Sequence, residues 1–509
     1  MAQALQNITI SAPGFAGINT QDAPLQQDPS FAADATNCII DKEGRVAARK
    51  GYSMVSSNGA AVLGSSIGIE SIGEFVQYDG TKIVFSCGNN KIFTGTSTLV
   101  DVTGSLTITA NNWSMASLGN KFYFYQIGHA PLVYDASTSA LTTIAAHAGA
   151  AGTAPQGNVC LAAFGRIWAA DVTGNKRTLY FSDQLDGVDF GGGSSGSLDL
   201  TTVWPGGFDE IVSLIAHNDF LIILGKRSIL LYSGAETPST MVLADTILNI
   251  GIVSRDCVQS TGQDILFLDY SGVRSLARTI QEKSSPLGDI SKNVNNDIKL
   301  RARAETGNIK TIYDPQNAFF LINFPLGGTV YCFDTRSPLQ NGSYRVTTWT
   351  AMAPLCFTVT DADELYIGVL TGISKYDTYK DGTASYSLQY FSHPLSFGDS
   401  SRLKFLKAVN ITTFNGSAAT VVLNWAFDYS GDFQKQAYTL RTFTAGEYHI
   451  SDYNTAQAEY ASSSQLINKE KVNTGGSGSI VAVGLTTTID GQGIAFQELN
   501  IHSLIGRII

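Results

Sequence analysis

The sequence predicts an all-β protein, a β-propeller of about six to eight degenerate blades plus a β-sandwich-like platform formed by the N- and C-terminal segments. Three observations lead to this prediction. A strand–turn–strand unit recurs through the middle of the chain, its turns are rich in Gly and Asn, and the two flanks lack the repeat. The strands of the repeat alternate apolar and polar residues, as half-buried strands require.

Seven copies of the unit lie between about residues 70 and 380. Each has an alternating strand, a tight polar turn, a second strand, another turn and a closing strand. Gly and Asn adopt the positive φ angles of two-residue hairpin loops at little cost, so they mark the turns. In chain order, the marking residues are Gly80, Asn89, Asn90, Gly119, Asn120, Gly174, Asn175, Asn218, Gly272, Gly328 and Gly372.

The spacing of the copies, about 40–53 residues, matches the four-stranded blade of a propeller. Leucine-rich repeats are shorter, and helical repeats would show a period of about 3.6 residues that is not seen here. An array of β-sandwiches would give a similar pattern. It stays open as an alternative, because spacing gives neither the number of blades nor the closure of the circle.

One segment breaks the β pattern. Between residues 286 and 304, Ile290, Val294 and Ile298 recur every four residues and predict a short amphipathic helix. Basic residues lie on or near its other face: Lys292, Lys299, Arg301 and Arg303. They indicate either a contact with DNA or an acidic neighbour, or a solvated face at the propeller rim.

The flanks predict separate units. Residues 1–55 have little alternation, which indicates an extended arm that is part of the platform. Residues 56–385 hold the propeller, and residues 386–509 predict a C-terminal sheet or sandwich. The alternating strands of this last unit are longer than those of the repeat and fall at 404–414, 420–430 and 494–509.

The charge of the chain limits its partners. Only 15% of the residues are charged and the net charge is −10, against about 25% charged residues in ordinary domains. A surface poor in charge suits faces that partner subunits cover. The negative balance argues against a protein that grips DNA or an anionic membrane, but it is compatible with DNA that passes without binding.

No pattern for a cofactor, metal ion or membrane is found. The cysteines form no CxxC pair and the histidines no HExxH or H-x-H pair, so we expect buried thiols, no metal site and no cofactor. Walker A and Rossmann motifs are absent from the sequence. The N-terminus does not resemble a signal peptide, and no apolar run of about 18 residues predicts a membrane span.

Two patterns invite a catalytic interpretation, and both have a structural alternative. Residues 192–196 match GxSxG, but they lie in a Gly/Ser loop, whereas a nucleophile elbow needs a helix after it. A pair of carboxylates can hydrolyse a glycan, yet acidic residues on turns more often form Asx-turns. Such acidic turn residues are Asp183, Asp186, Asp189, Asp363 and Asp377. We expect no enzymatic activity.

The N-terminal arm carries a pattern of its own. It begins Gly17-Ile18-Asn19-Thr20-Gln21, passes Pro24 and Pro29 to Asn37, turns at Glu43-Gly44 and leaves through Arg49-Lys50-Gly51. This arm resembles the opening of the tail tubular protein B family, the tail nozzle proteins of short-tailed bacteriophages. The segment PLGDISKNVNNDIK resembles the mid-propeller helix of that family, and the terminal GRII resembles its apolar-basic ending. The match covers about a tenth of the chain, which is shorter than the best-known members.

The resemblance implies a structural virion protein. Six copies would form a nozzle ring below an adaptor ring and enclose the distal DNA-exit channel, which DNA crosses without specific binding. The resemblance also implies contacts with tail fibres or the tail tip, synthesis in the cytoplasm of the bacterial host and a place in the phage tail. The interface candidates that it implies are Gly17, Ile18, Gln21, Asn37, Gly44, Arg49, Gly51 and Arg507.

Two other functions are compatible with the residues. A carbohydrate-binding or glycan-cleaving propeller would have a funnel lined by carboxylates and exposed aromatic side chains. A scaffold or adhesion propeller of the host cell would be a stable monomer. The propeller alone leaves the function open, because one fold serves many functions.

Overall fold

The repeats form small antiparallel sheets that stand in a circle around a central channel. The structure is a computed structural model that describes residues 5–64, 67–204, 207–282, 289–441, 444–445, 458–459 and 467–508. Within these residues, six separate sheets and the first four strands of a ten-stranded sheet serve as seven blades. The prediction of an all-β propeller with six to eight blades is confirmed.

The blades are numbered here in chain order, and the strands of each are given from the channel outwards. Their bounds are Ile69–Val76, Lys82–Gly88, Lys91–Thr94 and Val100–Asp101 for blade 1; Ser114–Leu118, Lys121–Tyr125, Leu132–Asp135 and Ala140–Thr143 for blade 2; Gly157–Ala163, Arg166–Val172, Thr178–Phe181 and Gly196–Asp199 for blade 3; Ile211–His217, Phe220–Gly225, Ser228–Ser233 and Val242–Leu248 for blade 4; Val258–Ser260, Ile265–Asp269 and Gly272–Ser275 for blade 5; Lys310–Asp314, Phe319–Phe324, Thr329–Asp334 and Arg345–Trp349 for blade 6; and Cys356–Val359, Leu365–Val369, Gly372–Lys375 and Ser53–Met54 for blade 7. The α-helices are Gly59–Leu63, Leu276–Glu282 and Asn295–Ala304, and short 3-10 helices span Ile144–Ala146, Pro238–Thr240, Lys292–Val294 and Pro325–Gly327.

The circle is closed by the segment that precedes the first blade. Each innermost strand contacts the next, and Cys356–Val359 of blade 7 contacts Ile69–Val76 of blade 1. The outermost strand of blade 7 is Ser53–Met54, which pairs with Gly372–Lys375 in an antiparallel register. The N-terminal arm therefore holds the last blade next to the first.

Turn chemistry and aromatic packing explain why these residues form blades. Asn89 and Asn90 both have φ near +50°, as do several other residues of the hairpin turns, and this is the conformation that such turns demand. Between blades 1 and 2 the ring of Phe122 stacks on Phe85, with ring centroids 5.2 Å apart. Phe75 also stacks on Phe122, with ring centroids 5.5 Å apart. Aromatic side chains at alternate strand positions thus fill the space between neighbouring blades.

The predicted helical segment lies beside blade 5. The three residues of its apolar stripe, Ile290, Val294 and Ile298, are buried. The α-helix is shorter than predicted and spans Asn295–Ala304, while Ile290 lies in a turn and Val294 ends the 3-10 helix Lys292–Val294. Residues 286–288 lie outside the described residues. Arg301 donates from Nε to the hydroxyl of Tyr331 at 3.0 Å. At least one of the four basic side chains therefore packs on blade 6.

Two further sheets form the platform. The seven-stranded sheet contains Ile467–Asn473, Arg402–Asn415, Ile494–Ile508, Val46–Ala48 and Cys38–Ile40 in spatial order, with Leu5–Ser11 and Ser477–Gly478 paired at its sides. The ten-stranded sheet continues from blade 6 through Gly17–Ile18, Phe31–Thr36, Tyr386–Ser392, Val481–Ile489, Thr420–Phe427 and Gln434–Thr439. A small parallel pair joins Thr444–Ala445 to Ala458–Glu459. Apolar residues of both large sheets contribute to one hydrophobic core, while one face of blade 6 packs in a second core with blade 7.

Propeller and platform are continuous through Gly17. This residue pairs in parallel with Val346 of blade 6 on one side and with Phe31 on the other. Its φ is +82°, and a Cβ atom at this position would lie 2.5 Å from the carbonyl oxygen of Val346. Both the backbone conformation and the close approach of two strands therefore require glycine here.

Gly17→Ala should lower the thermal melting temperature far more than Gly207→Ala does. Gly207 has the same φ of +82° but nothing within 4 Å of its Cβ position, so alanine there carries only the left-handed penalty of about 1–2 kcal/mol. At Gly17 the clash with backbone is added, and we expect a total cost above about 3 kcal/mol. Equal melting temperatures of the two variants would contradict the close approach of the Val346 backbone to Gly17.

Candidate functional site

A buried ion pair anchors the N-terminal arm. The guanidinium of Arg49, which has 0% exposed surface, donates to both carboxylate oxygens of Asp381 at 2.8 and 2.7 Å. Its Nε donates to the amide oxygen of Asn37 at 3.0 Å. Bidentate pairs of this kind fix geometry as well as charge. We call Asn37, Arg49 and Asp381 the arm joint.

The surroundings of the arm joint come from three parts of the fold. Asn37 donates from its side chain to the carbonyl of Ser387 at 2.8 Å and to Oγ1 of Thr350 at 3.1 Å. The guanidinium of Arg49 lies 4.1 Å from the ring centroid of Tyr386, whose hydroxyl donates to the backbone carbonyl of Arg49. Burial raises the pKa of Tyr386. The joint therefore connects the arm to the exit of blade 6 and to the first strand after blade 7.

The glycines of the arm stand where the backbone is crowded. A Cβ on Gly51 would lie 2.0 Å from the carbonyl oxygen of Lys380. Gly44 has φ of +77° and lies against Pro13, with its Cβ position 2.6 Å from the Cα of that residue. These two glycines allow the arm to pass close to the rest of the chain.

The structure places the interface candidates in two groups. Gly17, Ile18, Asn37, Gly44, Arg49 and Gly51 are buried inside the chain. Gln21 is half-buried in a turn, where its backbone N–H donates to Oδ1 of Asn19 at 3.0 Å, and Arg507 is exposed near the end of the strand Ile494–Ile508. A role of these residues in contacts between subunits stays a prediction. Of the eight, Gln21 and Arg507 have side chains that are partly or fully exposed to solvent.

His393 joins the arm to the platform. This histidine is buried, and its Nε2 lies 2.9 Å from the carbonyl oxygen of Asn19 in the arm. Burial lowers the pKa of His393 below its ordinary value of about 6.5, although hydrogen bonds to the backbone carbonyls of Asn19 and Ala32 oppose the shift. The neutral ring is therefore the form that the fold favours.

The propeller channel contains a cavity of about 610 Å³. Residues of the innermost strands of all seven blades line it, together with the residues just before some of these strands. At the level where the strands begin, three charged side chains meet: Arg255, Asp256 and Lys310. We call them the channel cluster.

Short hydrogen bonds hold the channel cluster together. Arg255 donates to the two carboxylate oxygens of Asp256 at 2.8 and 3.0 Å, and the ammonium of Lys310 donates to Asp256 at 2.6 Å. Asn112 of the entry to blade 2 accepts from both cations, at 2.6 Å in each case. Burial alone would raise the pKa of Asp256, but the charges of Arg255 and Lys310 hold it well below its ordinary value.

Sequence reasoning missed Asp381 and the whole channel cluster. Arg255 and Asp256 stand side by side before the short strand Val258–Ser260, which is a weak signal because charged residues usually lie on the surface. Lys310 opens the first strand of blade 6. The three residues become neighbours only when the circle closes, so spacing along the chain does not bring them together.

The GxSxG match forms a turn. Ser194 donates to Oδ1 of Asp183 at 2.8 Å and accepts from Arg166 at 2.7 Å. A strand, Gly196–Asp199, follows it instead of a helix. Asp189 accepts the backbone amides of Gly191 and Gly192, as an Asx-turn does.

All six cysteines are free and buried, as the sequence predicts. In the described part of the chain, no three His, Cys, Asp or Glu side chains are grouped in a way that suits a metal ion. A helix long and apolar enough to cross a membrane does not occur among the described residues.

Comparison with known proteins gives structural similarity at low sequence identity. No protein-family model matches the chain, and no curated protein matches it. The designed protein Ika8 is 11% identical over 60% of this chain and 83% of its own, with a TM-score of 0.36. The extracellular domain of the hybrid two-component system BT4673 from Bacteroides thetaiotaomicron is 10% identical over 78% of this chain and 48% of its own, with a TM-score of 0.43. The WD40 domain of Neurospora crassa Pan2 is 10% identical over 66% of this chain and 96% of its own, with a TM-score of 0.36.

The buried His393 should make the fold less stable in mild acid. Because its pKa is lower in the folded chain than about 6.5, the unfolded chain binds more protons below that pH, and stability falls as the pH drops from 7.5 to 5.5. His393→Gln should reduce this loss in melting temperature. His217→Gln, at the end of the innermost strand of blade 4, should retain it, and a wild-type slope in His393→Gln would contradict the assignment.

Proposed function

We propose that this chain is the subunit of a tail nozzle ring, a structural virion protein of a short-tailed bacteriophage that encloses the distal DNA-exit channel. The observation that carries the proposal is the position of the family-like residues of the arm. Asn37 and Arg49 build the arm joint, and Gly17 and Gly51 occupy crowded crossings of the backbone. The pattern on which the resemblance rests thus coincides with the residues that fasten the arm to the propeller and the platform.

The strands that the arm shares with the other parts of the chain support the proposal. Each subunit of a closed ring contacts a neighbour on either side, so its parts must keep a fixed arrangement. Here the arm contributes strands to both platform sheets and to blade 7, so no free linker in the described residues separates the propeller from the platform. Such a body suits a closed ring in which the platform faces the centre and the propellers lie outside.

An exposed sheet edge supports association with other chains. In the described residues, the outer strands of blades 1, 2, 3 and 7 are two to four residues long, whereas Val242–Leu248 of blade 4 has seven residues. It exposes Val242, Leu243 and Leu248. Long, largely apolar edge strands are sites for pairing with another chain, and Asp245 is the single charged residue of this one.

The charge of the chain suits passage of DNA. With a net charge of −10, the ring would carry about −60 over six copies, and an acidic lumen repels phosphates. DNA would then cross the nozzle without the counterion release that makes binding strong. The ring would also contact an adaptor ring and tail fibres in the assembled phage tail.

The mass of the purified chain should be that of a closed ring, about six times 54.3 kDa, alone or after addition of an adaptor ring. Light scattering measures the mass, and negative-stain images show the central opening. A chain that stays monomeric at all concentrations and beside the adaptor would contradict the nozzle.

Two lysine variants locate the contact. Leu243→Lys, on the exposed edge, should weaken assembly several-fold, because a charge on an edge strand blocks pairing. Leu326→Lys, on an exposed turn of blade 6, should leave it unchanged. If both variants assemble like the wild type, the ring forms through another surface.

A further inference from the structure

Two cations share a single carboxylate inside the propeller. Arg255 and Lys310 are only 8% and 7% exposed, and both are paired with Asp256. The channel cluster thus carries one net positive charge. Burying an unpaired charge is costly, and buried charges in proteins are normally matched by partners of opposite sign.

Lys310 retains a donor for a ligand. An ammonium group has three N–H bonds, and Lys310 uses two of them, on Asn112 and Asp256 at 2.6 Å each. The third has no partner among the described residues, and Lys310 lines the cavity. Gln259 lines the same cavity and spends one of its two amide N–H groups on the carbonyl of Thr311.

The other acidic residues near the cluster do not neutralise it. Asp171 attracts Arg255, but its carboxylate forms an ion pair with Lys176 at 2.5 Å. Glu74 also lines the cavity, but its carboxylate accepts the backbone amide of Asp361. The hydroxyl of Ser71 forms hydrogen bonds with the backbone of Asn111 and Trp113, the residues on either side of Asn112, so Ser71 lies at the level of the cluster. Glu74 lies three residues, about 10 Å, further along the same strand. Glu70 is half-buried and forms no ion pair with either cation in the described part of the chain.

We propose that the propeller channel binds one small oxyanion, a carboxylate or phosphate group, on the free N–H of Lys310. The oxyanion supplies the second negative charge and accepts a hydrogen bond from the third N–H of Lys310. The remaining side-chain N–H of Gln259, which also lines the cavity, is a second donor. The cavity of about 610 Å³ is within the range of small-molecule sites. The proposal does not depend on the ring.

Equilibrium dialysis with radiolabelled inorganic phosphate, at constant ionic strength in sodium chloride, tests the site. The wild type should bind one phosphate per chain, and acetate should compete if the site accepts carboxylates as well. Lys310→Met and Lys310→Gln should weaken binding about tenfold or more, the usual loss for one charge-assisted hydrogen bond. Lys226→Met is the control, because Lys226 is exposed and paired with Glu210 outside the cavity.

Absence of saturable phosphate binding to the wild type would overturn the proposal, as would equal binding by a folded Lys310 variant. Circular dichroism shows whether each variant is folded. If neither Lys310 variant folds, the wild type alone tests the site. Phosphate should then raise the melting temperature of the wild type relative to chloride at the same ionic strength. An unchanged melting temperature would then overturn the site.

Discussion

The buried pair of Arg49 and Asp381 is the constraint on which the rest of the structure depends. The two residues are 332 positions apart in the chain, and neither charge could stay buried without the other. The guanidinium satisfies its hydrogen bonds with Asp381, Asn37 and the carbonyls of Lys50 and Thr350. Removing one partner of such a pair costs about 3–5 kcal/mol, because the other is left as an uncompensated charge.

The arm that this pair fixes serves three units in succession. It contributes Gly17–Ile18 and Phe31–Thr36 to the ten-stranded sheet, Cys38–Ile40 and Val46–Ala48 to the seven-stranded sheet, and Ser53–Met54 to blade 7. A propeller that is closed by an early strand cannot open without loss of that strand. Closure of the circle and attachment of the platform therefore depend on the same segment of the chain.

Local patterns predicted the blades, and long-range contacts escaped prediction. The turns at Asn89 and Asn90 and the buried stripe of Ile290, Val294 and Ile298 depend on neighbours in sequence, so the sequence showed them. The strand Ser53–Met54 is too short to show alternation, and it joins blade 7 across some 320 residues. Asp381 and the channel cluster escaped prediction for the same reason, since charged residues become a buried site only through the closed fold.

Calorimetry of Arg49→Met tests most directly whether the arm joint couples the propeller to the platform. The wild type should unfold in one transition, and the variant in two, or in one at a much lower temperature, because the two parts lose their shared anchor. Lys82→Met, which breaks an exposed pair with Asp361, should keep the single transition, since exposed pairs contribute at most about 1 kcal/mol. A single transition of Arg49→Met at the wild-type temperature would contradict the account.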